Sequence, residues 1–378
     1  MIRRAILYLA DPEDRAAAST PVLGFTLAFR ALAAAVRAGA SEVFVPAMLK
    51  RPALERALAS RPAIAARVRW LGDDAAPPDG SALLMPAAAL APPAAIARLL
   101  AARAPAVLVA SEEHAAPIVL APAALVADLG PALAVGLPVG DDLTRALKSL
   151  EVVRVATEGW YARTPGEEAL TAHLGRSAID TSLDRAFHRR LSRPLSRLAI
   201  AWGVAPNVVS LASLGIGSIA AACFWHATPV TALVGLALYA ASVVLDHTDG
   251  EVARLALAES ALGAWLDVLN DTIVHALLVL AMAITVSITW APATLVGIAG
   301  TLGVIASALA AKLAPPASGA AGSVLHALGT RDGFYALLIL FVLGLTLSPA
   351  ALPALLVVLA LGSNTYWLLR LVHGALSR

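Results

Sequence analysis

Four aspartates carry the chemistry that this sequence is equipped to do: Asp246, Asp249, Asp267 and Asp271. Asp246 and Asp249 are three residues apart and Asp267 and Asp271 four apart, so on helices each pair shares one face. All four lie in the most apolar part of the chain, where one charged side chain costs about 2.5–3.5 kcal/mol even on lenient insertion scales. A cost of that size marks a functional site. Two antiparallel helices can present the four carboxylates to one cavity, and such a group stays ionised only with cations among it. Hard oxygen donors in this number suit Mg²⁺ or Mn²⁺, as a pair of ions. A two-metal centre acting on a phosphorylated substrate follows from that. The competing chemistry is ion or proton transport by intramembrane carboxylates. Repeated or broken helices would mark a transporter, and the sequence shows no internal repeat.

The elements that must hold these aspartates are membrane spans. The 378 residues are 59% hydrophobic and 14% charged, with a mean hydropathy of +0.77, against about 25% charged in soluble domains. Residues 198–245, 272–311 and 333–369 contain no Asp, Glu, Lys or Arg. A span needs about 20 apolar residues, so each block fits two helices and a turn. Six spans are expected, near 207–227, 229–252, 263–287, 292–312, 333–348 and 351–371. Arg254, Lys312, Arg331, Arg370 and Arg378 fall on one side, and the loops on the other contain no Lys or Arg. The positive-inside rule then puts both termini and the aspartates on the cytoplasmic side of the inner membrane.

Residues 176–205 read as a basic amphipathic juxtamembrane helix. Leu183, Phe187, Leu191, Leu195 and Leu198 recur at helical spacing, interleaved with Arg185, Arg189, Arg190, Arg193 and Arg197. Such a helix suits a membrane interface. Residues 1–175 alternate strands with Ala-rich helices: strands at 4–9, 42–46, 66–71, 82–85 and 106–111, helices at 22–38, 52–59 and 93–103. That pattern predicts an α/β, Rossmann-like domain with a parallel sheet. The lone Cys223 excludes an internal disulfide. No signal peptide is expected, because Ala5–Ala10 is too short an apolar stretch, and the net charge of +2 gives no cue to nucleic acid.

Residues 246–271 read DHTDGEVARLALAESALGAWLDVLND. They match in full D-x2-D-G-x2-A-R-x8-G-x3-D-x3-D, the signature of the CDP-alcohol phosphotransferases, and the chain is identified by resemblance as similar to that family. The resemblance implies six spans, metal ligation by Asp246, Asp249, Asp267 and Asp271, and a general-base role for Asp271. It implies nucleotide binding at Gly250, Ala253, Arg254 and Gly263, with Arg254 on the diphosphate. Glu251 and Glu259 match no fixed position and read as solvated. Pro206-Asn207 resembles a Thr-Pro-Asn element of the family, with Ala205 in place of Thr, and Thr330-Arg331-Asp332 resembles an Arg-Asp pair of members with polar acceptors. Arg331, Lys312, Arg189 and Arg193 are the candidates for holding an acceptor phosphate. The implied reaction joins a CDP-alcohol donor to an acceptor hydroxyl and releases CMP. The alternative within the class is a CDP-diacylglycerol-dependent phospholipid synthase, such as one making phosphatidylinositol phosphate. The family commonly forms homodimers; Gly297, Gly300 and Gly303 would allow close packing, equally against a partner or inside the fold.

The domain order resembles bifunctional inositol-phosphate cytidylyltransferases and di-myo-inositol-phosphate phosphate synthases. Gly159–Ala169 is similar to the closing element of nucleotidyltransferase domains. The first domain departs from that pattern where the chemistry should be. Its first loop carries Asp11, Glu13 and Asp14, with no glycine before Gly24, and Thr20 precedes Pro21 where a lysine is expected. No carboxylate follows the fourth strand, in Leu83–Ala87. The expectation is a degenerate nucleotidyltransferase-like domain that has lost cytidylyl transfer.

Overall fold

The computed structural model describes residues 4–72, 75–109, 116–156, 181, 183–313 and 331–376. The chain divides into two compact units, Met1–His173 and Leu174–Arg378. The described strands of the first unit are β1 (Arg4–Tyr8), β2 (Pro21–Val22), β3 (Phe25–Thr26), β4 (Glu42–Pro46), β5 (Val68–Leu71), β6 (Ala82–Pro86), β7 (Ala106–Val109), β8 (Val119–Ala121) and β9 (Val153–Ala156). Seven form one sheet in the order β5-β4-β1-β6-β8-β7-β9. Ala5–Tyr8 of β1 and Ala82–Met85 of β6 are wholly buried, which is why both read as unbroken apolar runs and not as alternation.

Two expectations for this unit are corrected. The sheet is parallel-rich but mixed, because β8 runs antiparallel to both β6 and β7. The helix expected from residue 22 begins later, at α2 (Leu27–Arg37), where the Thr26 hydroxyl accepts from Phe29 N at 3.2 Å. The chain before it turns through Leu23 and Gly24, both at positive φ, to pair β2 with β3. Helix α1 (Asp14–Ser19) follows β1 directly. The Gly159–Ala169 element lies outside the described residues.

The second unit opens with a widened, π-type turn at Asp184–His188, continued by helix α3 (Arg189–Ala201). Then come α4 (Pro206–Cys223), α5 (Pro229–Leu255), α6 (Ala261–Ser287), α7 (Ala293–Leu313), α8 (Arg331–Leu347) and α9 (Leu352–Leu376). Among the described residues five helices are long and apolar enough to cross a membrane, and the apolar segment Asp332–Leu347 is shorter. Large apolar side chains such as Leu211, Leu295, Leu347 and Val358 point outward, an arrangement that lipid, and not water, accommodates. Tyr239, Leu278, Met282, Leu338 and Phe341 fill the interior.

The glycines of α7 are used inside the fold. A Cβ on Gly297 would lie 2.2 Å from the Ala283 Cβ of α6, and one on Gly303 would lie 2.4 Å from the Ser363 Oγ of α9. Only glycine lets those backbones approach so closely.

The juxtamembrane helix is turned inside out relative to a soluble amphipathic helix. Phe187, Leu191, Leu195 and Leu198 are exposed, whereas Arg189, Ser192 and Ser196 are buried against the unit. Its apolar face is the outer one, as an interfacial helix requires.

Candidate functional site

Helix α5 runs for 27 residues, begun by a capping box in which Thr228 and Thr231 satisfy each other's backbone donors. Its last turns carry Asp246 and Asp249, both buried. Helix α6 starts after a short turn at Ser260, whose hydroxyl accepts from Gly263 N at 3.0 Å, and carries Asp267 in its second turn. The result is convergence: Asp246, Asp249 and Asp267 offer carboxylate oxygens that all lie within 4.8 Å of one another. Asp271 is half-buried one turn further along α6, outside that trio.

Neighbours that the sequence did not flag orient this group. The Ser210 hydroxyl on α4 donates to Asp249 Oδ2. Asn270 Nδ2, in turn, donates to Ser210 O at 3.0 Å, so α4, α5 and α6 are tied together beside the trio. Single polar residues in apolar helices carry no periodic signal. Only the helix register, known from the structure, puts Ser210 and Asn270 here.

The small residues of the signature have local reasons. A Cβ on Gly250 would lie 3.1 Å from Arg254 Nη1, so the Arg254 guanidinium folds back over its own helix and packs closely on this glycine. A Cβ on Gly263 would lie 3.2 Å from Ser260 Oγ and 3.6 Å from Asn207 Oδ1. Asn207 of the Pro206-Asn207 element therefore sits beside the start of α6. Ala253 is half-buried. Lys312 also reaches this end: its Nζ donates to Ala264 O at 3.3 Å and sits 5.3 Å from the Trp265 ring centroid.

Two expectations are corrected here. Glu251 is not solvated but 1% exposed, and it accepts from Arg189 Nη1 at 2.7 Å, Ser192 Oγ at 2.7 Å and Ser196 Oγ at 2.6 Å. A buried carboxylate must be paired in this way. Arg189 is thereby committed to an internal ion pair and does not line an opening for an acceptor phosphate. Arg193, one turn on, is half-buried, and Glu259 is exposed as expected. Arg331 opens α8, but its side chain and Thr330 lie outside the described residues; Asp332 accepts from Thr181 Oγ1 at 2.8 Å.

A second buried cluster sits beside the first. Asp184 Oδ1 lies 2.9 Å from His188 Nδ1 and 2.7 Å from His247 Nε2, and His188 Nε2 lies 2.9 Å from the Tyr335 hydroxyl. Burial alone would raise the Asp184 pKa, but hydrogen bonds from His188, His247 and the Thr181 backbone hold it well below the usual carboxylate range.

Whether the aspartates suit a divalent cation is answered by their donor set. Three hard carboxylate oxygens converge at the end of two apolar helices, as Mg²⁺ or Mn²⁺ requires.

Residues 203–367 match the family model described as CDP-alcohol phosphatidyltransferase. Among curated proteins, the chain is 31% identical over 143 residues to a bifunctional IPC transferase and DIPP synthase of Archaeoglobus fulgidus. That match covers 36% of this chain and spans 28% of the relative's length. Among solved structures, a phosphatidylinositol phosphate synthase of Mycobacterium tuberculosis with CDP-DAG bound is 18% identical, at a TM-score of 0.41. The superposition covers 49% of this chain and 94% of that one.

Proposed function

Because residues 203–367 match the CDP-alcohol phosphatidyltransferase family model, we propose that this chain is a multi-pass CDP-alcohol phosphotransferase of the inner membrane. In this reading α8 is a sixth span and both termini and the aspartates face the cytoplasm. The observation that carries it is the convergence of Asp246, Asp249 and Asp267 within a complete signature.

The three converging aspartates, with Asp271 able to join them, would hold two Mg²⁺ or Mn²⁺ ions. When bound, such ions neutralise and polarise a diphosphate. Arg254 binds the CDP diphosphate through its planar fork, from its place over the bare Gly250. Asp271 takes the proton of the acceptor hydroxyl. The acceptor oxygen bonds to the phosphorus of the substituted phosphate, the phosphoanhydride bond breaks, and CMP leaves with the electron pair. Arg331, Lys312 and Arg193 are the cations for an acceptor phosphate.

For the substrates, the name of the Archaeoglobus relative supports inositol-phosphodiester synthesis, with a CDP-diacylglycerol-dependent phospholipid synthase as the second reading. A screen separates them: CDP-inositol and CDP-diacylglycerol are offered with inositol phosphate, inositol and glycerol phosphate, and CMP is measured. CMP only with CDP-inositol supports the first, and CMP only with CDP-diacylglycerol the second.

The first unit is read as a nucleotidyltransferase-like domain without cytidylyl transfer. Its first loop has already used the amides that would cradle a phosphate. Asp14 Oδ2 accepts from Ala10 N at 2.6 Å, and Asp11 Oδ1 accepts from Glu13 N at 2.8 Å and Asp14 N at 3.1 Å. A homodimer remains part of the proposal, through surfaces other than the glycines of α7.

A further inference from the structure

We propose that His247 and Glu251 are positioning residues that lock the juxtamembrane helix to the turn of α5 bearing Asp246 and Asp249. The inference rests on the metal-dependent reading of those aspartates. Both residues occupy positions that the signature leaves open.

Helical geometry separates the two tasks on α5. At about 100° per residue, His247 and Glu251 stand one turn apart, on the side of the helix roughly opposite to that of Asp246 and Asp249. One side of the turn carries the aspartates and the far side meets the juxtamembrane segment. Glu251 gathers Arg189, Ser192 and Ser196 from three successive positions along α3. His247 reaches Asp184 at the head of that segment, and Asp184 also binds His188, which reaches Tyr335 on α8.

The two anchors act together. Sliding or rotating α5 by one residue against α3 would strand a carboxylate that is 1% exposed, and stranding a buried charge is among the costliest changes a fold can undergo. From the other side Ser210 fixes Asp249. The metal-bearing turn is therefore gripped on two faces, and the juxtamembrane helix is a working part of the membrane unit.

The Asp184, His188 and His247 ligand atoms also fall within 4.8 Å of one another. Their separations of 2.7 and 2.9 Å through one shared oxygen are those of hydrogen bonds. Those side chains satisfy one another, which favours a lock over a second metal centre.

The test measures Mn²⁺ binding by electron paramagnetic resonance on purified full-length protein in detergent, without substrate. Glu251→Gln and His247→Ala should each weaken Mn²⁺ binding at least about tenfold, with helix content and thermal midpoint checked in parallel. Ser196→Ala, which removes one hydroxyl, should weaken it about threefold and keeps the test open if Glu251→Gln does not fold. Arg190→Ala, on the exposed side of α3, should bind as the wild type does. Wild-type Mn²⁺ affinity in folded Glu251→Gln, His247→Ala or Ser196→Ala protein overturns the lock. So does a transition metal that purifies with the protein, survives Asp246→Ala and is lost in His188→Ala, since the cluster is then a metal site. Weakened Mn²⁺ binding in the variants, with no CMP from any donor in the wild type, leaves the lock standing and removes the transferase reading.

Discussion

The two units each place acidic residues at the end of an element, and they dispose of them in opposite ways. In the first loop of the N-terminal unit, Asp11 and Asp14 turn inward onto the backbone amides of Ala10, Glu13 and Asp14. Both carboxylates are held by donors of their own loop. In the membrane unit, Asp246, Asp249 and Asp267 bring carboxylate oxygens together from two helices, with Ser210 donating to Asp249 from a third. Such converging oxygens are the donor set that suits a divalent cation. The two groups thus differ in what their oxygens meet, loop amides in one and one another in the other, and only the second presents converging hard donors to a cation.

The largest effect that sharpens this contrast is expected at the trio. Asp246→Ala or Asp267→Ala should abolish CMP release and its dependence on added Mg²⁺ or Mn²⁺; chelator-insensitive turnover in the wild type would defeat the metal reading. Asp271→Asn comes next. It keeps the shape and removes the base, so a loss of 10²–10⁴-fold in kcat is expected, and retention of more than about a tenth of the activity would remove Asp271 from that role. Arg331→Ala should raise the acceptor KM at least about tenfold, as loss of a charge-assisted contact of about 1.5–3 kcal/mol implies, with the donor KM unmoved. An equal rise for both substrates would point to damaged folding.

The smallest effect on catalysis belongs to the other half of the comparison. Asp14→Asn disturbs a 2% exposed carboxylate on the Ala10 amide and should cost the N-terminal unit about 1–3 kcal/mol, read as faster hydrogen exchange at residues 10–14. CMP release should be unchanged. The wild-type protein should release no pyrophosphate from CTP and inositol phosphate, and detectable release would restore that loop to catalysis.

The legible parts of this molecule were those written in short-range spacing. Asp246, Asp249 and Asp267 announced themselves because helical periods bring them to common faces and because charge is so scarce around them. The strands β1, β4 and β6 were readable as apolar runs. What stayed hidden depends on partners far away in the chain. Glu251 reads as a surface residue until its donors arrive from 55–62 residues upstream. Ser210 acquires meaning only opposite Asp249, 39 residues on. The antiparallel β8 is three residues long, too short for any period to register, and the turn at Leu23-Gly24 interrupts what composition alone renders as one helix. The exposed leucines of the juxtamembrane segment agree with the interfacial helix that their spacing predicts.

The most direct test of a metal-dependent phosphotransferase in the membrane unit is CMP release by purified full-length protein from CDP-inositol or CDP-diacylglycerol with a polar acceptor. It is run with chelator, then after Mg²⁺ or Mn²⁺ is restored, beside Asp267→Ala. The account predicts no CMP with chelator, recovery on addition of either ion, and no recovery in the variant. CMP released equally with chelator, or by Asp267→Ala, would contradict it.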